Sequence, residues 1–262
     1  MEQIKECEAC PQVHKWEPYF KAYQTHFARF RGKKVTMLEV GVQSGGSAQI
    51  WRSYFGDGLY YFGVDINPAA QQFENGWATI LIGDQADPKF WAKIKNWLPQ
   101  VDILLDDGGH TMEQQLITFQ SMFSHVKQTG VYAVEDLSTS YSPAFGGSTL
   151  KAGALSGPRG SFIELSKQMI DWLNCYFVSG DVMASNGVCS EDFDQGVLGA
   201  SRFRHTAYSL HFYSQILLIE KAEVVAPKHY KSGGYSFAYG GPTTKWDGTH
   251  YAVPAVATAP VG

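Results

Sequence analysis

Five short apolar runs punctuate the first half of the chain: Val35–Val40, Leu59–Val64, Ala78–Ile82, Val101–Asp107 and Val131–Asp136. Each is too short for a stable helix and is bounded by glycine, proline or acidic residues, which reads as a strand buried on both faces. Between them the spacing changes to helical. Ser47 is placed to cap a helix over Ala48–Tyr54. Trp91, Ile94 and Leu98 share one helical face, in a segment that starts with Asp87-Pro88 and stops at Pro99. Met112, Leu116, Phe119 and Phe123 repeat at 4-3-4 spacing. Gly130 closes the connection to the fifth strand. Strands alternating with helices in this rhythm predict parallel βαβ units and a right-handed, doubly wound α/β sheet.

The flanks differ. Trp16, Phe20, Tyr23, Phe27 and Phe30 mark a helix over 16–30, with Pro18 near its start. It is expected to pack against the sheet; the alternative is a lid over a substrate, with His14. Residues 138–160 form a Ser-, Thr-, Gly- and Pro-rich loop. A helix over 161–177 follows, then a short strand around 176–183, and a last strand over Ala207–Glu220. The division expected is 1–34 as an N-terminal helical lid or packing segment, 35–230 as the main domain and 231–262 as a tail. That tail is rich in Gly, Ala and aromatics, too aromatic for plain disorder.

Composition narrows the class. A hydrophobic content of 44% supports a real core. A net charge of −4 with no Lys/Arg cluster argues against a nucleic-acid partner. No apolar run approaches the roughly 20 residues needed to span a bilayer. The polar amino terminus shows no signal peptide, and a cytoplasmic location is expected. Cys7 and Cys10 form a lone C-x-x-C, for which a fourth zinc ligand is not apparent.

The chemistry concentrates at strand ends, where open α/β sheets bind ligands. The fourth run ends Asp106-Asp107-Gly108-Gly109-His110 and the fifth ends Glu135-Asp136. Asp107, Glu135 and Asp136 read as ligands of a divalent metal, and His110 as a general base. The bland reading stays open. Adjacent strand residues face opposite ways, so one acid of each pair would only cap a loop, and His110 would only start a helix. The first run leads into Glu39-Val40-Gly41-Val42-Gln43-Ser44-Gly45-Gly46-Ser47, whose glycines permit a tight turn and close ligand approach. Its G-x-x-x-G-G spacing is not that of a dinucleotide loop. Asp65 ends the second strand, where an acid grips ribose hydroxyls, or else forms a turn before Asn67-Pro68. Asp84 or Gln85, after the third strand, suits an adenine edge.

Taken in order, Leu38-Glu39-Val40-Gly41, Gly63-Val64-Asp65-Ile66-Asn67-Pro68, Gly83-Asp84-Gln85-Ala86-Asp87, Asp106–His110 and Glu135-Asp136-Leu137 resemble the class I S-adenosylmethionine-dependent methyltransferases. More narrowly, they resemble the magnesium-dependent sugar O-methyltransferases of macrolide biosynthesis, of the mycinamicin and rhamnosyl type, and the related cephalosporin-hydroxylase-like group. His211-Phe212-Tyr213 is a weaker match. The resemblance covers about residues 15–145 well and 205–221 loosely. It implies a seven-stranded, mostly parallel sheet with helices on both faces. It also implies that the segment Glu39–Gly46, with Glu39, Gly41 and Gly45, cradles the methionine part of the cofactor, and that Ser47 binds the cofactor too. Asp65 would take the ribose, Asp84 and Gln85 would lie near the adenine, and Asp106 near the sulfonium. Asp107, Glu135 and Asp136 would hold Mg²⁺, with His110 and Asp107 catalytic. The similar enzymes often carry Ser where Gly109 stands.

The implied reaction moves a methyl group from S-adenosylmethionine to a sugar hydroxyl of a glycoside or glycan. A hydroxyl is a poor nucleophile at neutral pH; a cation that coordinates it lowers its pKa, and a histidine accepts the proton. The expected partner is a small-molecule or glycan acceptor with vicinal hydroxyls, with no nucleic acid and no membrane, and the chain is expected to form a homo-oligomer. The alternatives are a catechol-type O-methyltransferase and a non-catalytic partner subunit that binds S-adenosylmethionine. An NAD oxidoreductase is disfavoured by the first glycine loop.

Overall fold

A computed structural model describes residues 11–149, 160–178 and 200–225. These fall in one compact unit, Met1–Pro227. The Cys7/Cys10 pair, residues 179–183 of the short strand expected after the long loop, and the tail lie outside the described residues.

All five predicted apolar runs form strands: β1 (Val35–Val40), β2 (Leu59–Asp65), β3 (Ala78–Ile82), β4 (Val101–Asp106) and β5 (Val126–Val134). They pair in parallel in the order β3-β2-β1-β4-β5. Beyond β5 the sheet turns antiparallel through β7 (Ile216–Lys221) and ends at β6 (Ala207–Tyr213). The single last strand expected over Ala207–Glu220 is therefore a hairpin, turning at Ser214 and Gln215 with Gln215 at φ 65°. The apolar run hid the turn because neither residue is glycine or proline, the usual turn signals. β5 also starts five residues early: Gly130 lies inside it, beside an irregularity in the β4 pairing.

The continuous apolar runs follow from helices on both faces. On β4, Leu104 joins one buried cluster with Trp91, Phe119 and Tyr132. Its neighbours Ile103 and Leu105 join the other, with Tyr23, Phe27 and Trp51. Helices α3 (Pro88–Lys95) and α4 (Met112–Met122) cover the first face. Helices α1 (Glu17–Phe27) and α2 (Gly46–Phe55) cover the second. α5 (Phe162–Val178) and α6 (Ala200–Thr206) complete the order. Among the described residues no helix is long and apolar enough to cross a membrane.

Two local expectations are corrected. Ser47 lies inside α2, which is capped by Gly45 in the left-handed region. In α1 the buried residues are Tyr19, Ala22, Tyr23, His26 and Phe27, while Trp16 is exposed. The helix is rotated from its most aromatic face because its two phenols have hydrogen-bond partners at the sheet edge.

Candidate active site

β1, β4 and β5 end at one level, since Val40, Asp106 and Val134 are register partners. Asp107 N–H donates to the Val40 carbonyl and Glu135 N–H to that of Asp106, each at 3.0 Å. Gly41, Asp107 and Glu135 thus emerge side by side. Gly41 sits at φ 92°, and a Cβ there would stand 2.0 Å from the Asp107 carbonyl oxygen. Only glycine lets the two loops approach this closely.

A cavity of about 460 Å³ opens above this edge. Gly41, Ser47, Asp65, Asp84, Gln85, Asp107, His110 and Asp136 all line it. Asp65 Oδ2 accepts from the N–H groups of Val42 at 3.0 Å and Gln43 at 2.8 Å, tying down the glycine loop. Gln85 donates to Asp106 Oδ1 at 3.0 Å and Thr118 Oγ1 at 3.1 Å, and accepts from Gly109 N–H at 2.9 Å. Its amide is spent holding the Asp106–Gly109 turn rather than pointing free at a base. Asp84 Oδ1 accepts from Ala86 N–H at 2.8 Å.

Four sequence-predicted residues lie behind this wall rather than on it: Glu39, Gly45, Asp106 and Glu135. Glu39 is fully buried and saturated, accepting from Ser47 Oγ at 2.5 Å, Trp51 Nε1 at 3.2 Å and Tyr61 Oη at 2.7 Å. A Cβ on Gly45 would strike the Phe73 ring. Asp106 is also buried, with Oδ2 lacking a protein partner, and burial pushes its carboxyl up to about 7. Gly109 leaves room for Gln114, which folds back on Thr111 in a capping box; a Cβ there would stand 2.4 Å from Gln114 Oε1.

The acidic end is built from both halves of the chain. Because β5 stops at Val134, Asp136 escapes strand alternation and turns left-handed at φ 54°. His110 is left-handed too, at φ 58°. Such strain in non-glycine residues gathers at functional sites. Ligand atoms of Asp107, His110 and Asp136 lie within 4.8 Å of one another. His110 Nε2 is 3.2 Å from Asp136 Oδ2 and 3.9 Å from Asp107 Oδ1. Burial lowers the His110 pKa, with the Asp136 charge opposing.

Three contributors escaped the sequence reading. The Tyr19 hydroxyl donates to Asp136 Oδ1 at 2.7 Å, and that of Tyr23 donates to Glu135 Oε1. These phenols stand four residues apart on one face of α1, a spacing visible in the sequence but indistinguishable from core packing. Lys15 Nζ sits 2.6 Å from Asp107 Oδ2, 3.0 Å from Glu135 Oε1 and 3.3 Å from Glu39 Oε1. No sequence signal marks it. Burial alone would lower the Lys15 pKa; the charges of Glu135, Asp107 and Glu39 outweigh it and raise it well above normal. Burial pushes Asp107 to about 6 and Glu135 to about 7, with Lys15 opposing in both.

The donor chemistry suits a divalent cation. Asp107 and Asp136 present hard carboxylate oxygens to the cavity, with the His110 ring beside them. Glu135, expected as a third ligand, is here the partner of Lys15 and Tyr23.

No family model matches the chain. It is 32% identical over 216 residues to the 8-demethyl-8-alpha-L-rhamnosyl tetracenomycin-C 2'-O-methyltransferase of Streptomyces olivaceus, covering 79% of this chain and 51% of that protein. It is 31% identical over 219 residues to the mycinamicin VI 2''-O-methyltransferase of Micromonospora griseorubida, covering 80% and 48%. Among solved structures it is similar to MycE methyltransferase from the mycinamycin biosynthetic pathway in complex with Mg, SAH and mycinamycin VI. That match has a TM-score of 0.67 and 25% identity, covering 81% of this chain and 51% of the other. The chain thus spans about half the length of the relatives it matches. The fold is that of class I methyltransferases, and the resemblance to sugar O-methyltransferases holds across four fifths of the sequence.

Proposed function

We propose that this chain carries the catalytic domain of an S-adenosylmethionine-dependent O-methyltransferase that, with Mg²⁺, methylates a sugar hydroxyl of a glycoside. The observation that carries the proposal is that one cavity holds both parts. Its one side is the glycine loop with Asp65 and Asp84, and its other is Asp107, His110 and Asp136. A methyl donor seated on the first side faces the acidic cluster on the second. Relatives named for sugar O-methylation support the acceptor class.

Methyl transfer from a sulfonium is an in-line displacement, for which the protein supplies position and an activated nucleophile. Asp107 and Asp136 would hold the cation, which when bound lowers the pKa of an acceptor hydroxyl. His110 acts as the general base. The Asp136 carboxylate at 3.2 Å then stabilises the imidazolium. Tyr19, through its hydrogen bond, fixes which way Asp136 points. Two vicinal acceptor hydroxyls would suit a cation with more than one open position.

The test combines calorimetry with an acceptor screen. The protein is expected to bind S-adenosylhomocysteine and to methylate a member of a glycoside panel in the presence of Mg²⁺. Asp107→Ala and His110→Ala should abolish turnover yet, titrated without Mg²⁺, bind S-adenosylhomocysteine with unchanged affinity. Full activity in either variant removes that residue's role, and no binding of S-adenosylhomocysteine refutes the proposal as a whole.

A further inference from the structure

Lys15 has no part in the reaction just proposed, yet its side chain is only 3% exposed and lies at the centre of the acidic cluster. Its three ammonium protons match three carboxylates, those of Glu39, Asp107 and Glu135. A Mg²⁺ ion that used these oxygens of Asp107 and Glu135 as ligands would have to take them from the ammonium, which holds them at 2.6 and 3.0 Å. If the ion instead uses the other Asp107 oxygen and Asp136, the two cations still share one carboxylate and repel.

We infer that Lys15 is a tethered competitor for the divalent cation, holding the carboxylate cage closed without metal and setting the affinity with which metal enters. The inference rests on reading the cavity as a metal-assisted methyltransferase site. The cage tolerates both occupants: four carboxylates, those of Glu39, Asp107, Glu135 and Asp136, stand against one ammonium. Glu39 keeps Ser47, Trp51 and Tyr61 as donors when Lys15 leaves, and Glu135 keeps Tyr23. Exchange also reaches the cofactor. Gln12, Val13 and His14, which precede Lys15, line the same cavity. The Gln12 carbonyl packs so close over α2 that a Cβ on Gly46 would stand 2.2 Å from its oxygen. Releasing Lys15 therefore frees one wall of the cofactor cavity, and metal and cofactor binding become linked through this segment.

The experiment uses Mn²⁺ as probe, with S-adenosylhomocysteine bound, and reads free Mn²⁺ by electron paramagnetic resonance. Lys15→Met is expected to bind Mn²⁺ about tenfold tighter than wild type. Equal or weaker binding overturns the inference, because Lys15 would then be a prop for the site rather than a rival. A second measurement needs no variant and decides the matter if Lys15→Met fails to fold. In wild-type protein, amine labelling of Lys15, read by mass spectrometry, is expected to rise about fivefold at saturating Mn²⁺. A Lys15 that stays protected at saturating Mn²⁺ overturns the inference. Failure of the underlying reading looks different: neither protein binds Mn²⁺, or neither binds S-adenosylhomocysteine, and the inference falls with it.

Discussion

Lys221 offers a sharp test of how this fold tolerates a buried charge. It lies on β7, donates to the carbonyls of Phe123 at 2.8 Å and Val126 at 2.5 Å, and sits 4.6 Å from the Phe123 ring centroid. Burial lowers its pKa from 10.5 to about 8. At ~1.36 kcal/mol per pKa unit, keeping it charged costs about 3 kcal/mol. The two carbonyls and the ring favour the ammonium, so that figure is a ceiling. The sign follows from proton counting. Below about pH 8 both folded and unfolded states are protonated, and folding carries the full cost. Between about 8 and 10.5 the unfolded chain binds more protons, so stability rises with pH. Above that range the cost is gone. Lys221→Met removes the titration but also takes a donor from both carbonyls, of which Phe123's still accepts from Val126 N–H, a loss worth about 1–3 kcal/mol. The informative quantity is therefore the change with pH. From about pH 7 to about pH 10, wild type should gain up to about 2.5 kcal/mol relative to the variant. Urea denaturation of both proteins at intervals across that range measures it. A difference that stays flat would show that the carbonyls and ring fully solvate the charge, and the burial argument would fail.

Other residues make shorter tests. Gly41→Ala must adopt φ 92° and place a methyl 2.0 Å from the Asp107 carbonyl. It should destabilise by more than about 1 kcal/mol and weaken S-adenosylhomocysteine binding at least about tenfold by calorimetry; binding within about twofold of wild type would contradict the close-approach argument. Tyr19→Phe removes the donor that orients Asp136. It should cost about tenfold in Mn²⁺ affinity with cofactor affinity unchanged in the absence of metal, and an unaltered Mn²⁺ titration would dismiss Asp136 as a ligand oriented this way. Thr111→Ala breaks the capping box of α4. It should cost about 1 kcal/mol and lower the midpoint of a thermal melt by about 2–4 °C.

The sequence by itself determined the five parallel strands, because strands buried on both faces must be apolar throughout and their ends must be marked by residues that break the run. It also marked the strand ends as the candidate site, since Asp106–His110 and Glu135-Asp136 set acids and a histidine directly after such runs. The hairpin of β6 and β7 was not legible, for its turn residues Ser214 and Gln215 carry no strong signal. Nor was the sorting of acids into those on the cavity wall and those behind it. Composition names Glu39, Asp107, Glu135 and Asp136 alike, whereas their exposure depends on where each strand stops and which way the next residue turns. Lys15 is the clearest case. It meets Glu39, Asp107 and Glu135 across separations of 24, 92 and 120 residues. Local pattern encodes contacts within a turn of helix or a pleat of strand. A charge met from so far along the chain exists only after the sheet has brought three strand ends to one level.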